Sequence, residues 1–280
     1  MEKISVTERL DNTIHLLKSL IPELDALIAD MQKNGGWFTL DNLDLSPAIK
    51  NLKLENWAEF YLDEKAIRAL PVLFLLNEDE LKNALKNPDQ AKEDLKIASS
   101  ILLEEDFFEL PDNAEEHFSL LSPEEQLFEL KQASIGILTM ILGLFNALSG
   151  MVHGTSLCKL VAQAKNGDDD ALCKSVQIDR TILFLPFAKE RIIKAQLNNN
   201  GFFLEKLALK IKSPILGKKI KYRTLWLTLA LLDDEGFLSL PHEEILNICE
   251  KIGVYGAEHG IEDVGHLRKR LTDYKRKNWN

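Results

Sequence analysis

Between Gln132 and Cys158 the chain carries no Asp, Glu, Lys or Arg. A segment this long and this uncharged must be covered, by protein or by lipid, and that limits the fold more than any other feature. Ser122-Pro123-Glu124-Glu125 stands just ahead of it and joins an N-cap residue, a proline suited to the first helical position and an acidic first turn. Leu127, Leu130, Ile137 and Ile141 follow at helical spacing, so this helix leads straight into the apolar run. Unbroken to Gly150 it would hold about 28 residues and extend about 42 Å at 1.5 Å per residue.

Gly136, Gly143 and Gly150 recur every seventh residue, and Ala147 and Gly154 extend a small-residue seam from Gly143. Such seams let helix backbones approach closely, in membranes and in soluble bundles alike. Residues 133–152 have the length of a bilayer-spanning helix. Asn146, the hydroxyl residues nearby and the lack of an aromatic or basic anchor just before the run weigh against a span. The expectation is a long apolar helix at the centre of a helical globule, with membrane association through 133–152 as an alternative.

The rest of the chain also reads as helices, with no run of strict alternation that demands a sheet. Ser5 and Glu8 form a candidate capping box. From Leu10 through Ile14, Leu17, Ile21, Leu24, Ile28 and Met31 the apolar spacing alternates 4 and 3, a heptad seam for packing within the chain or in a coiled-coil dimer. Pro22 predicts a kink or two collinear helices, ending at Asn34-Gly35-Gly36. Ser46-Pro47 and Asn77-Glu78-Asp79-Glu80 look like helix starts, a longer helix is expected over about Asp89 to Glu109, and Trp57, Phe60 and Tyr61 are expected in the core. Further breaks fall at Asn166-Gly167, Asn198–Gly201, Ser213-Pro214, Glu235-Gly236 and Leu240-Pro241. Leu225–Leu232 is read as helix among helical neighbours. The turns at Asp168 and Asn199 lie 31 residues apart, faintly like stacked helical hairpins.

The formal charge of −10 hides an uneven distribution. Residues 1–140 hold 13 Lys and Arg against 28 Asp and Glu, while residues 141–280 hold 21 against 16. Within the second half, Lys174 to Arg223 carries 12 basic and three acidic residues. The whole surface therefore does not suit coating nucleic acid, but the C-terminal half remains open to an anionic partner. The fold class expected is all-α: a multi-helix globule with room for two helical subdomains, an acidic 1–121 and a 122–280 with the apolar helix and a basic C-terminal part.

Motifs for chemistry are missing from the sequence. Cys158, Cys173 and Cys249 form no C-x-x-C pair, and three cysteines do not make a secreted disulfide framework. There is no H-E-x-x-H, Walker A loop, G-x-G-x-x-G or G-x-S-x-G. Glu262 and His266, with His259 and Asp263 nearby, offer a metal or a proton a place, or simply start the last helix. Asp168-Asp169-Asp170 and Asp233-Asp234-Glu235-Gly236 lack the alternating ligands of a calcium loop and are read as turns. No catalytic residue, metal or cofactor is assigned, and the reading leans away from an enzyme.

One constellation points outward. Val264, Leu267, Leu271 and Tyr274 make an apolar stripe, while Arg268, Lys269, Arg270, Lys275 and Arg276 occupy the other faces of the same stretch. A short helix, a Gly-rich connection and a basic amphipathic helix are helix-turn-helix ingredients, although the connection is longer than that motif uses. Lys218, Lys219 and Lys221 supply a second basic cluster. The sequence thus leads to a non-catalytic helical interaction protein whose partner is another protein or a second copy. A DNA- or RNA-binding regulator using the basic C-terminal helix is the alternative. Met1–Glu8 shows no basic stretch followed by an apolar run, so the cytoplasm is the expected setting.

Overall fold

The computed structural model describes residues 6–33, 35, 57–62, 121–215 and 221–278. Every regular element among the described residues is helical, and the single strand-like pairing is an isolated antiparallel bridge between Gly256 and Ile261. The fold is all-α, as the periodicity predicts. The helix starts expected at Ser5, Ser46 and Asn77 and the helix over about Asp89 to Glu109 lie outside the described residues. The chain divides into two compact units, Met1–Lys3 with Asp41–Gly143 and Ile4–Leu40 with Leu144–Asn280.

In the first unit, a 3-10 turn at Trp57–Leu62 buries Ala58, Phe60 and Tyr61. Helix α2, Pro123–His153, begins in this unit, and the division between the units falls inside it. Its start is a capping box. The Ser122 N–H donates to Glu125 Oε2 at 2.7 Å and the Glu125 N–H donates to Ser122 Oγ at 3.4 Å, so two helix-start donors find partners reciprocally.

The second unit opens with α1, Val6–Lys33, a single helix that runs through Pro22. Pro22 is exposed, so the Lys18 carbonyl that it deprives of a helical donor stands on the solvent side. Ile14, Leu17, Leu24, Ile28 and Met31 of the heptad seam are buried. The helix lies antiparallel on α7, Arg223–Asp234, and is pinned at both ends. Arg9 Nη2 reaches Glu235 Oε2 at 2.8 Å, and Arg223 donates from Nε and Nη2 to Asp25 Oδ1 at 2.9 and 2.7 Å. The seam is used inside this chain.

Helix α2 ends at Gly154, whose φ of 74° lets the chain turn sharply into α3, Leu157–Lys165. The polar residues of the uncharged run build this corner. Ser149 Oγ donates to the Thr155 carbonyl at 2.7 Å, and Asn146 Oδ1 accepts from the Cys158 N–H at 2.9 Å. The axes of Ile141–His153 and Leu157–Lys165 differ by 83°, and among the described residues no single helix is long and apolar enough to cross a membrane. The seam meets α7 at Gly150, where a Cβ would stand 3.0 Å from Leu227 Cδ1 and 3.7 Å from Ala230 Cβ. Helix α7 is itself enclosed, with Thr224 through Ala230 and Leu232 buried.

Two helical hairpins follow α2. The first joins α3 to α4, Asp169–Ile178, through Gly167 at φ 101° and the N-cap Asp168, whose Oδ1 accepts from the Asp170 and Ala171 N–H groups. The second joins α5, Pro186–Leu197, to α6, Gly201–Lys212, through Asn199 at φ 52° and the N-cap Asn200. Helix α4 packs on both α3 and α6, so the hairpins stack. Between them Arg180–Phe184 forms a 3-10 turn, capped by Asp179 Oδ1 accepting from the Thr181 N–H at 2.9 Å. After α7 come a 3-10 turn at Phe237–Ser239, α8 at His242–Lys251 and α9 at Val264–Asn278.

Candidate functional site

The acidic turns are structural clamps. At the start of α4, Asp169 receives Arg191 Nε and Nη2 at 2.6 and 2.5 Å, a bidentate pair from α5. Asp170 meets Lys206 of α6 and Lys174 of its own helix, both at 2.7 Å. Partial burial pushes the Asp170 carboxyl up, but hydrogen bonds from Lys174 and Lys206 outweigh it and bring the group to about 2. Arg191 also lies over the Phe203 ring at 4.4 Å. Three of the twelve basic residues between 174 and 223, Arg191, Lys206 and Lys210, therefore turn onto α4 from neighbouring helices.

The acidic end of α7 is held likewise, where carboxylates oppose the negative end of the helix dipole. Lys159 of α3 contacts Asp233 at 3.2 Å and Asp234 at 2.5 Å, and the Tyr274 hydroxyl donates to Asp233 Oδ2 at 3.1 Å. Among the described residues no group of three or more His, Cys, Asp and Glu is arranged to hold a metal ion. Asp263 Oδ1 accepts from the His266 N–H at 2.7 Å in the first turn of α9, and His259 Nδ1 is 2.9 Å from Thr224 Oγ1. The three cysteines are free and buried, and burial pushes the thiols of Cys158 and Cys249 up to about 12, far from a nucleophile at neutral pH.

Two surfaces remain open to a partner. The first lies on α5, α6 and the turn before them, where Phe184, Ile193, Leu197, Phe202 and Leu209 are 61, 54, 77, 80 and 66% exposed. Of the exposed large hydrophobics among the described residues, only Tyr255 lies elsewhere. Ile193 and Leu197 are one helical turn apart on α5, while Phe202 and Leu209 are two turns apart on α6. Leu197 and Phe202 flank the hairpin turn. This surface did not emerge from the sequence reading. The signal was there: α5 and α6 carry apolar residues on more of their circumference than one buried stripe needs.

The second surface is the basic helix α9. Arg268, Lys269, Lys275 and Arg276 are exposed, while Leu267, Leu271 and Tyr274 are buried. Arg268 donates to His242 Nδ1 at 3.3 Å, and Arg276 contacts Asp273 at 3.1 Å. Arg270 is set apart from the others. It is half-buried, donates to the Gly260 carbonyl at 3.3 Å, contacts Asp273 at 3.2 Å and lies over the Tyr222 ring at 4.4 Å. Lys221, next to Tyr222, is exposed, and Lys218 and Lys219 lie outside the described residues. Of the seam residues, Gly143, Ala147, Gly150 and Gly154 are buried, and Gly136 lies within α2.

No protein-family model, curated protein or solved structure matches the chain.

Proposed function

We propose that this chain is a non-catalytic helical interaction protein that pairs with a second copy through the outer face of α5 and α6. The observation that carries the reading is the concentration of large exposed apolar side chains between Phe184 and Leu209. Exposed apolar clusters of this kind mark interaction surfaces in stable proteins. The charges favour a second copy as occupant. Lys189, Lys194 and Lys212 are exposed on these helices together with Glu190 and Glu205. A two-fold interface sets one patch against itself, so it needs both signs of charge within the patch. Glu205 stands between Phe202 and Leu209 in the sequence of α6, three residues from one and four from the other, which suits a lysine across an interface and opposes an anionic lipid surface. Three buried, unpaired thiols fit a reducing compartment, consistent with the cytoplasm.

Sedimentation velocity on the full chain tests this reading. The expected result is a dimer that becomes monomeric in the Leu197→Glu/Phe202→Glu variant with its helical circular dichroism unchanged. A wild-type chain that stays monomeric at every concentration, or a variant that dimerises as well as wild type, overturns it.

A further inference from the structure

We infer that the outer face of α9 binds the phosphodiester backbone of nucleic acid. This is a different surface from the α5–α6 face, and the inference does not depend on self-association.

Helix α9 turns its apolar stripe into the fold, with Leu267 and Tyr274 all but inaccessible and Leu271 buried. Arg268, Lys269, Thr272, Lys275 and Arg276 are exposed, as are Gly265 and His266 in the first turn, and Asp273, paired with Arg276, is half-buried beside them. Arg268 and Lys275 are seven residues apart, as are Lys269 and Arg276, so two pairs of cations repeat along the helix at about 10.5 Å. At 15 residues the helix is about 22 Å long, and a bare helix of this kind fits a major groove about 12 Å wide.

A distant part of the chain holds the helix on its inner side, at Arg270. Tyr222 adopts a left-handed φ of 58°, and its ring lies between two groups from the C-terminal region. A Cβ on Gly260 would fall 2.5 Å from Tyr222 Cε1, so only glycine permits this approach, and Arg270 covers the ring at 4.4 Å. The Trp226 indole N–H donates to the Lys221 carbonyl at 2.9 Å. This knot ties the segment at Lys221 to α9, though the two lie about fifty residues apart in sequence. Arg270, bound to Asp273, Gly260 and Tyr222, is a positioning residue rather than a contact.

The chemistry of the face selects the partner. It offers four cations, one of them paired with the Asp273 carboxylate, a hydroxyl and no exposed large hydrophobic side chain, so it lacks both the apolar wedge of a membrane-inserting helix and the aromatic anchor of a protein hot spot. A polyanion with regularly spaced charges matches it. The face has an acidic limit at α8, where Glu243 and Glu244 are exposed in the first turn beside His242, the Arg268 partner. That limit confines contact to the α9 side.

Fluorescence anisotropy with the full chain, a short DNA duplex, its single strand and the matching RNA tests the inference over about 50 to 200 mM salt. The site variant is Arg268→Gln/Lys269→Gln/Lys275→Gln/Arg276→Gln. A charge-matched control, Lys18→Gln/Lys33→Gln/Lys165→Gln/Lys251→Gln, removes exposed cations elsewhere. Binding to at least one oligonucleotide is expected, weakened about tenfold or more by the site variant and with a salt slope lower by about 3 to 4, while the control stays within about twofold. The arms show which nucleic acid is preferred. No binding at about 50 mM salt, equal losses in both variants, or association with phosphatidylserine vesicles in place of the oligonucleotides overturns the inference.

Discussion

In the α5–α6 hairpin, Arg191 and Lys206 turn toward the acidic first turn of α4, while Leu197, Phe202 and Leu209 face solvent. In α9 the senses are reversed: Leu267, Leu271 and Tyr274 face the core and Arg268, Lys269, Lys275 and Arg276 face out. Both regions are basic and amphipathic by composition, yet one presents an apolar surface and the other a cationic one. The difference lies in what each packs against. Helix α4 offers Asp169 and Asp170, which draw cations inward; α9 packs on α8 and α7, whose buried residues are mainly apolar. A segment's net charge therefore does not say which surface it will show.

The sharpest way to break the contrast is to truncate matched apolar side chains. Leu267→Ala, at a fully buried position of α9, is expected to cost about 2 to 5 kcal/mol of unfolding free energy. Phe202→Ala, on a side chain 80% exposed, is expected to stay within about 0.5 kcal/mol at concentrations where the chain is monomeric. Urea denaturation of both variants decides the point. Equal losses would mean that Phe202 is part of the core and not of a docking surface.

A second measurement uses acid. The Asp170 carboxyl is lowered to about 2 in the folded chain, below its unfolded value near 4. Its stabilising pairing with Lys174 and Lys206 is therefore fully present above about pH 4 and is lost as pH falls toward 2. Asp170→Asn removes the ionisation, so the variant's urea midpoint is expected to be lower than wild type at pH 7 and to lie closer to it near pH 2. Parallel curves across that window would show that the clamp contributes nothing through this proton. The smallest change expected is at the tip of the hairpin. Asn199 holds a φ of 52°, which glycine adopts without strain, so Asn199→Gly should shift stability by no more than about 1 kcal/mol and leave the sedimentation behaviour unchanged. A loss of dimer in that variant would place the turn itself in the interface.

Much of the helical punctuation was legible because its causes are local. The Ser122–Glu125 capping box, the Asn200 cap and the stop at Ser213 follow from side chains that satisfy backbone groups within a few residues, the Asn166-Gly167 turn from the positive φ of Gly167, and the start after Pro241 from the fixed φ of proline. At Pro22 the chain does not break into two helices: the proline is exposed, its freed carbonyl stands on the solvent side, and α1 continues past it. The 3-10 turn at Arg180–Phe184 is not marked in the sequence, since its cap, Asp179, stands in a mixed polar and apolar stretch with no Gly or Pro before Pro186.

The candidate surfaces were legible only in part. The stripe and cations of α9 stand in the sequence with helical spacing, and four of the five basic residues singled out there are exposed. Arg270 differs from them through contacts with Tyr222 and Gly260 that no spacing rule contains. The five exposed side chains of the Phe184–Leu209 region are the converse case, apolar residues found outside with no spacing signal that singles them out.

By itself the sequence determined an all-α chain, the helix leading into the uncharged run and the small-residue seam along it. Those outcomes rest on backbone propensity, capping and side-chain volume, which act over a turn or two of helix. Only the tertiary structure decided that Arg9 and Arg223 pin α1 to α7, that Arg191 and Lys206 face Asp169 and Asp170, and that Tyr222 lies under Arg270 of α9. A charge chooses its partner by distance in space, and that distance is set by packing between helices far apart along the chain.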